Sequence, residues 1–377
     1  MINLHQDYIP LIKIHPSYAV CYSEYCGERT RSRSDNCNEN LIRNKHTGEM
    51  SKKAVKRLYV ALDWMLLCAR KKSADHVIRS GSFNFKLSML TLTLPAAQMH
   101  TDLYIKKMML NEFLTIARKK YNLQNYIWKA EKQGNGNIHF HLILDKYIFY
   151  KDINRIWNNI LGTHGYINKY KENQENKHAL GFAFDKSTNK RWNKTAQLKA
   201  YKNGVRTHWQ QPTATTDIHS LKKITNAKAY LGKYVTKNPD VNTEVSKYTE
   251  MYKRVHKVES VPFAEYQEIK TEVKRKLSVQ GNLWYISQSL SKLKGICIEI
   301  TNEVGAELNK FRRIFKDKVL YKDYCAIYKF SLKDIFKLGY IKLGSIVKDY
   351  ILSLRNVFYP PGELAFSPLG IPLPLFD

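Results

Sequence analysis

The sequence predicts an α+β fold: a split βαβ, ferredoxin- or RRM-like antiparallel sheet, with helical, basic regions flanking it. Three observations carry that reading. Short runs over 85–94, 125–132 and 138–144 have strand character. Helix-period runs over 101–121 and from Asp152 to Gly162 follow the first and third of them, giving the order β-α-β-β-α. Between the second and third runs stands Gly134-Asn135-Gly136, strong turn chemistry.

Each element has a local reason. Residues 50–72 predict an amphipathic helix, capped by Ser51, with Val55, Leu58, Tyr59, Leu62 and Leu66 on one face and Lys53, Lys56 and Arg57 between them. In Leu90-Thr91-Leu92-Thr93-Leu94 the leucines take the core face and the threonines the other, and Pro95 ends the strand. From Thr101 to Tyr121 an apolar stripe includes Leu103, Met108, Leu110, Phe113, Leu114 and Ala117. The helix opened by Asp152 carries Ile153, Ile156, Trp157 and Ile160. Tyr166 to Tyr170 and Ala179 to Phe184 read as further strands, and 185–216 as basic, loop-rich chain. A helix from about Asn226 to Lys237 stops before Pro239. The expected organisation is an irregular basic arm over 1–48, the sheet domain over 49–245 with its core at 80–240, a basic and mainly helical region over 258–355, and a Pro-rich tail over 356–377.

Composition narrows the function. Lys plus Arg number 62 against 33 Asp plus Glu, a formal charge of +29 spread along all 377 residues. Self-repulsion of that size suits a polyanionic partner, nucleic acid above all. Tyrosine is abundant, at 25 residues, and rings among lysines and arginines suit stacking on unpaired bases. The six cysteines have no disulfide-framework spacing, and Cys21, Cys26 and Cys37 fit common zinc patterns poorly, so free thiols of a cytoplasmic protein are expected. No apolar run reaches membrane-spanning length, and the first residues do not look like a signal peptide.

The chemistry concentrates at His139-Phe140-His141. On a strand, residues i and i+2 share a face, so both imidazoles point one way and Phe140 points into a core. If Lys132 pairs with Ile138 across the turn, Glu131 stands opposite His139, with Cβ atoms about 5 Å apart. Glu131, His139 and His141 then converge as a two-imidazole, one-carboxylate set with open coordination positions, suited to a divalent metal such as Mg2+ or Mn2+. Tyr230-Leu231-Gly232-Lys233-Tyr234-Val235-Thr236-Lys237 forms a second element. On a helix Tyr230 and Tyr234 lie one turn apart, as do Lys233 and Lys237. Tyrosine is a poor nucleophile at its free pKa of about 10, and a polarising metal and a lysine cation make its attack on phosphorus feasible.

These residues resemble the HUH single-strand endonucleases, specifically rolling-circle replication initiators of phage and plasmid type. Met89-Leu90-Thr91-Leu92-Thr93 looks like the first motif of that superfamily, with Met89 in place of its leading Phe; His139-Phe140-His141 matches the second; and Tyr230 to Lys237 looks like the two-tyrosine nucleophile motif. Asp217-Ile218-His219-Ser220-Leu221-Lys222-Lys223-Ile224 is also similar to a block in such proteins. The resemblance covers about residues 85–240 and makes 49–245 an HUH endonuclease domain. It implies that a metal held by Glu131, His139 and His141 polarises the scissile phosphate of single-stranded origin DNA. Tyr230 or Tyr234 attacks, leaving a 5′-phosphotyrosine and a free 3′-OH primer, with Lys233 and Lys237 steadying charge. Both Tyr230/Lys233 and Tyr234/Lys237 also satisfy the Tyr-x-x-Lys pattern of single-tyrosine relatives. Thr91, Thr93, Lys222 and Lys223 are the candidate DNA contacts. No Walker A pattern occurs, so a host helicase would have to open the duplex, in a bacterial or phage-infected cell. A transposase or mobilisation relaxase would share the same site. An RRM-like binding module would instead bind nucleic acid without cleaving it, and would favour aromatic platforms where Thr91, Thr93, Glu131 and His139 stand.

Overall fold

Five antiparallel strands, in the order β6-β3-β5-β4-β7, form the sheet that carries the histidines. These are β3 (Ser88–Leu92), β4 (Tyr126–Lys132), β5 (Ile138–Leu144), β6 (Thr216–Ser220) and β7 (Trp284–Ile286). The computed structural model describes residues 8–27, 50–80, 87–185, 193–220, 227–236, 241–323, 325–330 and 339–358, with side chains of the first helix described to residue 66. Two other strands, β1 (Tyr8–Ile14) and β2 (Ala19–Tyr25), precede this sheet in the chain. The chain divides into two units: residues 46–76 with 82–287, and residues 1–45, 77–81 and 288–377.

In the first unit, β3, β4, β5 and β6 reproduce the split βαβ arrangement: β5 lies between β3 and β4, and β6 flanks β3. The register agrees with the hairpin arithmetic, Lys132 facing Ile138 and Glu131 facing His139. Helix α1 (Lys52–Ser80) begins after Ser51, whose Oγ accepts from the Ala54 amide at 3.2 Å. Helix α2 spans 102–121, Thr101 capping it, with a π-helical segment over Ile105–Leu110. It packs against α3 (Tyr150–Thr163), where Phe113 meets Trp157 edge to face with centroids 6.1 Å apart. Trp157 is fully buried and donates its indole N–H to the Thr93 carbonyl at 3.0 Å, tying α3 to the end of β3. Leu90, Leu92, Phe140, Leu142 and Leu144 are all buried, as their alternation requires.

Several elements differ from expectation. Residues 166–177 form helix α4 (Tyr166–Lys177) rather than a strand, and the fourth strand of the motif is β6. Tyr166 and Ile167 are the buried residues of that helix, a two-residue anchor that the sequence does not distinguish from a short strand. The basic 185–216 stretch contains helix α5 (Lys194–Arg206), started by Asn193, whose side chain accepts from the Ala196 amide. Helices α6 (Ala227–Thr236), α7 (Val241–His256) and α8 (Phe263–Leu277) follow β6. Helices α7 and α8 pack on each other through Val245, Val273 and Leu277. With β7 they belong to the same unit, which therefore runs past residue 245 to 287.

The second unit is also built on a sheet, in the order β8-β1-β2-β10-β9, with β8 (Ile296–Glu299), β9 (Val319–Lys322) and β10 (Cys325–Tyr328). An irregular arm is expected over 1–48, yet 8–25 is an antiparallel hairpin within this sheet. The strands that receive it lie about 280 to 310 residues further on, at Ile296–Glu299 and Cys325–Tyr328, a pairing no local pattern announces. Its core joins Ile12, Ile14 and Ala19 to Val304, Leu308 and Phe311 of α9 (Asn302–Ile314) and Leu343 and Val347 of α10 (Ile341–Phe358). Among the described residues no helix is long and apolar enough to cross a membrane.

Candidate metal and nucleic-acid site

The β4–β5 hairpin brings its three predicted ligands to one point. Nε2 of His139 lies 2.8 Å, and Nε2 of His141 3.0 Å, from the same oxygen, Oε1 of Glu131. The two imidazoles stand edge to face with ring centroids 4.5 Å apart. Among the described residues this is the cluster of His, Cys, Asp and Glu able to hold a metal, its ligand atoms all within 4.8 Å of one another. Neighbouring ligands of an octahedral divalent ion, each at about 2.1 Å, stand about 3 Å apart, which matches the two separations from Glu131 Oε1. The donor set, two neutral imidazoles and a carboxylate, suits a borderline to hard divalent cation.

Its electrostatics favour the ionised carboxylate. Burial would push the Glu131 carboxyl up, but hydrogen bonds with His139 and His141 and the neighbouring Lys129 cation outweigh it and hold the group well below the usual carboxylate range. Nδ1 of His141 lies 3.2 Å from the hydroxyl of Thr91, directly opposite it on β3, a bond that fixes the ring as outer-shell partners of metal-binding histidines do. Nδ1 of His139 is buried and has no hydrogen-bond partner among the described residues.

Sequence reasoning misses Lys129. It faces His141 across the hairpin, shares the face of Glu131 two residues on, and is only 3 % exposed. Its Nζ lies 3.3 Å from Oε2 of Glu131, leaving Oε1 to the imidazoles. A lysine within an alternating strand reads as a solvent residue, and its burial is set by neighbouring elements that the local pattern does not contain. Asp217 of β6 also belongs to this row, opposite Thr91, and its carboxylate pairs with His219 at 2.8 Å on the exposed sheet edge.

Beside the hairpin, Asp102 at the start of α2 acts as an anchor. Its Oδ1 accepts from Lys132 Nζ and Gln98 Nε2, both at 2.7 Å, and its Oδ2 from the Gln280 amide at 3.0 Å. Gln98 Oε1 in turn accepts from Lys132 Nζ and the Ile138 amide, so one network grips both strands next to Glu131 and His139.

Helix α6, which carries Tyr230, lies against β5. Leu231 and Gly232 are buried, Tyr230 is half-buried and Lys233 is exposed. Gly232 has a packing reason: a Cβ there would come within 2.6 Å of the Tyr59 ring on α1. Thr93 is held through its backbone, its amide donating to the Thr215 carbonyl at 2.8 Å. The side chain of Tyr234, and Lys222, Lys223 and Lys237 entirely, lie outside the described residues.

The antiparallel sheet thus carries a two-imidazole, one-carboxylate cluster on one face and a tyrosine-bearing helix against its central strand. Residues 87–239 match the model of a replication-associated protein family, that of the ORF2 type, a stretch from β3 to just beyond α6 that covers less than half of the chain. The three motif segments and the whole split βαβ core fall within it. No curated protein and no solved structure gives a match.

Proposed function

We propose that this protein is a rolling-circle replication initiator that nicks and rejoins single-stranded origin DNA. The observation that supports this most is the convergence of Glu131, His139 and His141 on a strand against which the Tyr230 helix packs, within the stretch similar to replication-associated proteins. A divalent cation, Mg2+ or Mn2+, bound there supplies Lewis-acid polarisation of the scissile phosphate.

The protein's own groups do the rest. A tyrosine oxygen, of Tyr230 or Tyr234, forms a bond to phosphorus as the bond from phosphorus to the 3′ oxygen breaks. The phenol proton leaves, the 3′ oxygen gains one, and the products are a 5′-phosphotyrosine and a 3′-OH primer. Lys233 and Lys237 steady the charge that develops. In the second half of the reaction the other tyrosine attacks the regenerated origin, and the 3′-OH it frees attacks the first phosphotyrosine, breaking the tyrosine–phosphorus bond and rejoining DNA. Thr91, Thr93, Lys222 and Lys223 contact the strand, Thr91 also holding His141 in position. The protein acts on DNA in a bacterial or phage-infected cytoplasm, with a host helicase opening the duplex.

The test is a covalent adduct. The full chain is incubated with single-stranded origin DNA and Mn2+ and resolved on a denaturing gel. A protein–DNA adduct that disappears with EDTA and in Glu131→Ala is expected. Normal DNA binding with no adduct overturns the reading. Tyr230→Phe and Tyr234→Phe then assign the first nucleophile.

A further inference from the structure

We propose that the cavity bounded by α4, α5 and the end of β3 receives one unstacked nucleobase of the DNA strand lying on the sheet. The proposal rests on the nicking reading for the identity of the polymer, while the shape and chemistry of the pocket stand apart from it.

The cavity has a volume of about 410 Å3, within the range of pockets that enclose small planar ligands. Aromatic rings form much of its wall. His178 stacks parallel to Trp209, with centroids 5.4 Å apart and planes 4° apart, and is near-parallel to Phe182 on its own loop. Tyr201 leans on both His178 and Trp209. His178 Nδ1 accepts from the Ala183 amide at 3.0 Å, and burial lowers its pKa, which favours the neutral ring.

The polar wall is made of amides. Gln133, Gln174 and Gln211 line the cavity, and their side chains make no hydrogen bond to another described residue. Of the described residues that line it, Lys177 alone carries a full charge. Such a wall is poorly suited to a phosphate or a metal ion. Aromatic faces with uncommitted amide donors and acceptors instead match a base, which stacks on rings and is read along its edges.

Position links the pocket to the site. Thr93 and Gln133 line it, and each stands two residues beyond a site residue, Thr91 and Glu131 respectively. Two strand residues span about 6.6 Å, so the lip of the cavity is close to the triad. The wall is also built at local cost. His208 and Trp209 both have left-handed backbone, with φ of 48° and 55°, a conformation unfavourable for residues with side chains. Gly204 on α5 makes room for the indole, since a Cβ there would lie 2.0 Å from the Trp209 ring.

The experiment measures binding of the full chain, in EDTA, to short labelled single strands of thymidylate, deoxyadenylate or deoxycytidylate, and to an abasic strand with the same number of phosphates. At least one base-bearing strand is expected to bind about ten-fold more tightly than the abasic strand. Tyr201→Ala should bring that affinity close to the abasic value. Gln174→Ala combined with Gln211→Ala should blunt the preference among bases and leave abasic binding unchanged. Equal wild-type binding to abasic and base-bearing strands overturns the proposal. So does an undiminished base preference in both folded variants, which would make the rings packing only. Because no metal is present and no bond is cleaved, failure of the nicking reading leaves these outcomes interpretable. A protein that nicks but shows no base preference removes the pocket alone.

Discussion

The hydroxyl of Thr91 on β3 meets Nδ1 of His141 on β5 at 3.2 Å, and the same imidazole presents Nε2 to Glu131 at 3.0 Å. One threonine thus orients a ring whose working nitrogen lies on its far side. Thr91→Val keeps the β-branched shape and removes the hydroxyl. It is expected to weaken Mn2+ binding about ten-fold, as loss of outer-shell partners does, with the fold retained. Calorimetric titration of Mn2+ into both proteins checks this; equal affinities would remove Thr91 from the site.

Asp102 ties α2 to the β4–β5 hairpin. Burial would push its carboxyl up, but hydrogen bonds from Lys132, Gln98 and the Gln280 amide, with the Lys132 charge, hold it below the usual carboxylate range. A carboxyl depressed on folding stabilises the protein above its unfolded pKa of about 3.9, and that contribution is lost as pH falls through the lower folded value. Thermal midpoints of the wild type should therefore drop steeply below about pH 4. Asp102→Asn should lose about 3 kcal/mol at neutral pH, where Lys132 is left without its counter-charge, and show a shallower acid limb. Parallel pH profiles for both proteins would expose a discrepancy.

Gly232→Ala places a methyl group where Tyr59 packs, 2.6 Å from its ring. Overpacking of this kind costs about 1–3 kcal/mol and should displace α6 from β5. Adduct formation is expected to fall at least ten-fold while Mn2+ affinity, set on the hairpin, stays within about two-fold. Tyr59→Ala in the same background should restore part of the activity. A parallel loss of metal binding would mean that the whole sheet had shifted.

Gly204→Ala confronts the Trp209 indole at 2.0 Å, too close for small adjustments. The ring has to leave its stack with His178, at a cost of about 2 kcal/mol in stability. Near-ultraviolet circular dichroism should change with the Trp209 environment, while Mn2+ affinity persists. An unaltered spectrum and melting point would show that the wall adapts freely.

The sheet's centre could be read from sequence because its information is local. Gly134-Asn135-Gly136 fixes the turn, and a side-chain period of two then sets Glu131 opposite His139. What escaped depends on distant partners. β6 is short and carries exposed Asp217 and His219, so its pattern is that of a loop, and only pairing with β3 makes it a strand. Lys129 gives no sign of burial until the elements around it are assembled. The hairpin of 8–25 is exposed along nearly half its length, apolar residues such as Ile9 included, and Ile12 and Ile14 gain meaning only beside Leu308 and Phe311.

β7 has a consequence for how the chain comes off the ribosome. It occupies the outer edge of β4, while the Gln280 amide and the carbonyls of Gln280 and Asn282 take up Asp102 and Lys106. The triad and the tyrosine helix are all synthesised before residue 240, but the edge strand that closes their sheet emerges some forty residues later. A nascent chain paused in that interval presents an open β-edge next to a finished set of metal ligands. Vectorial synthesis thus sets the order of assembly: metal-binding capacity can precede protection from edge-to-edge association.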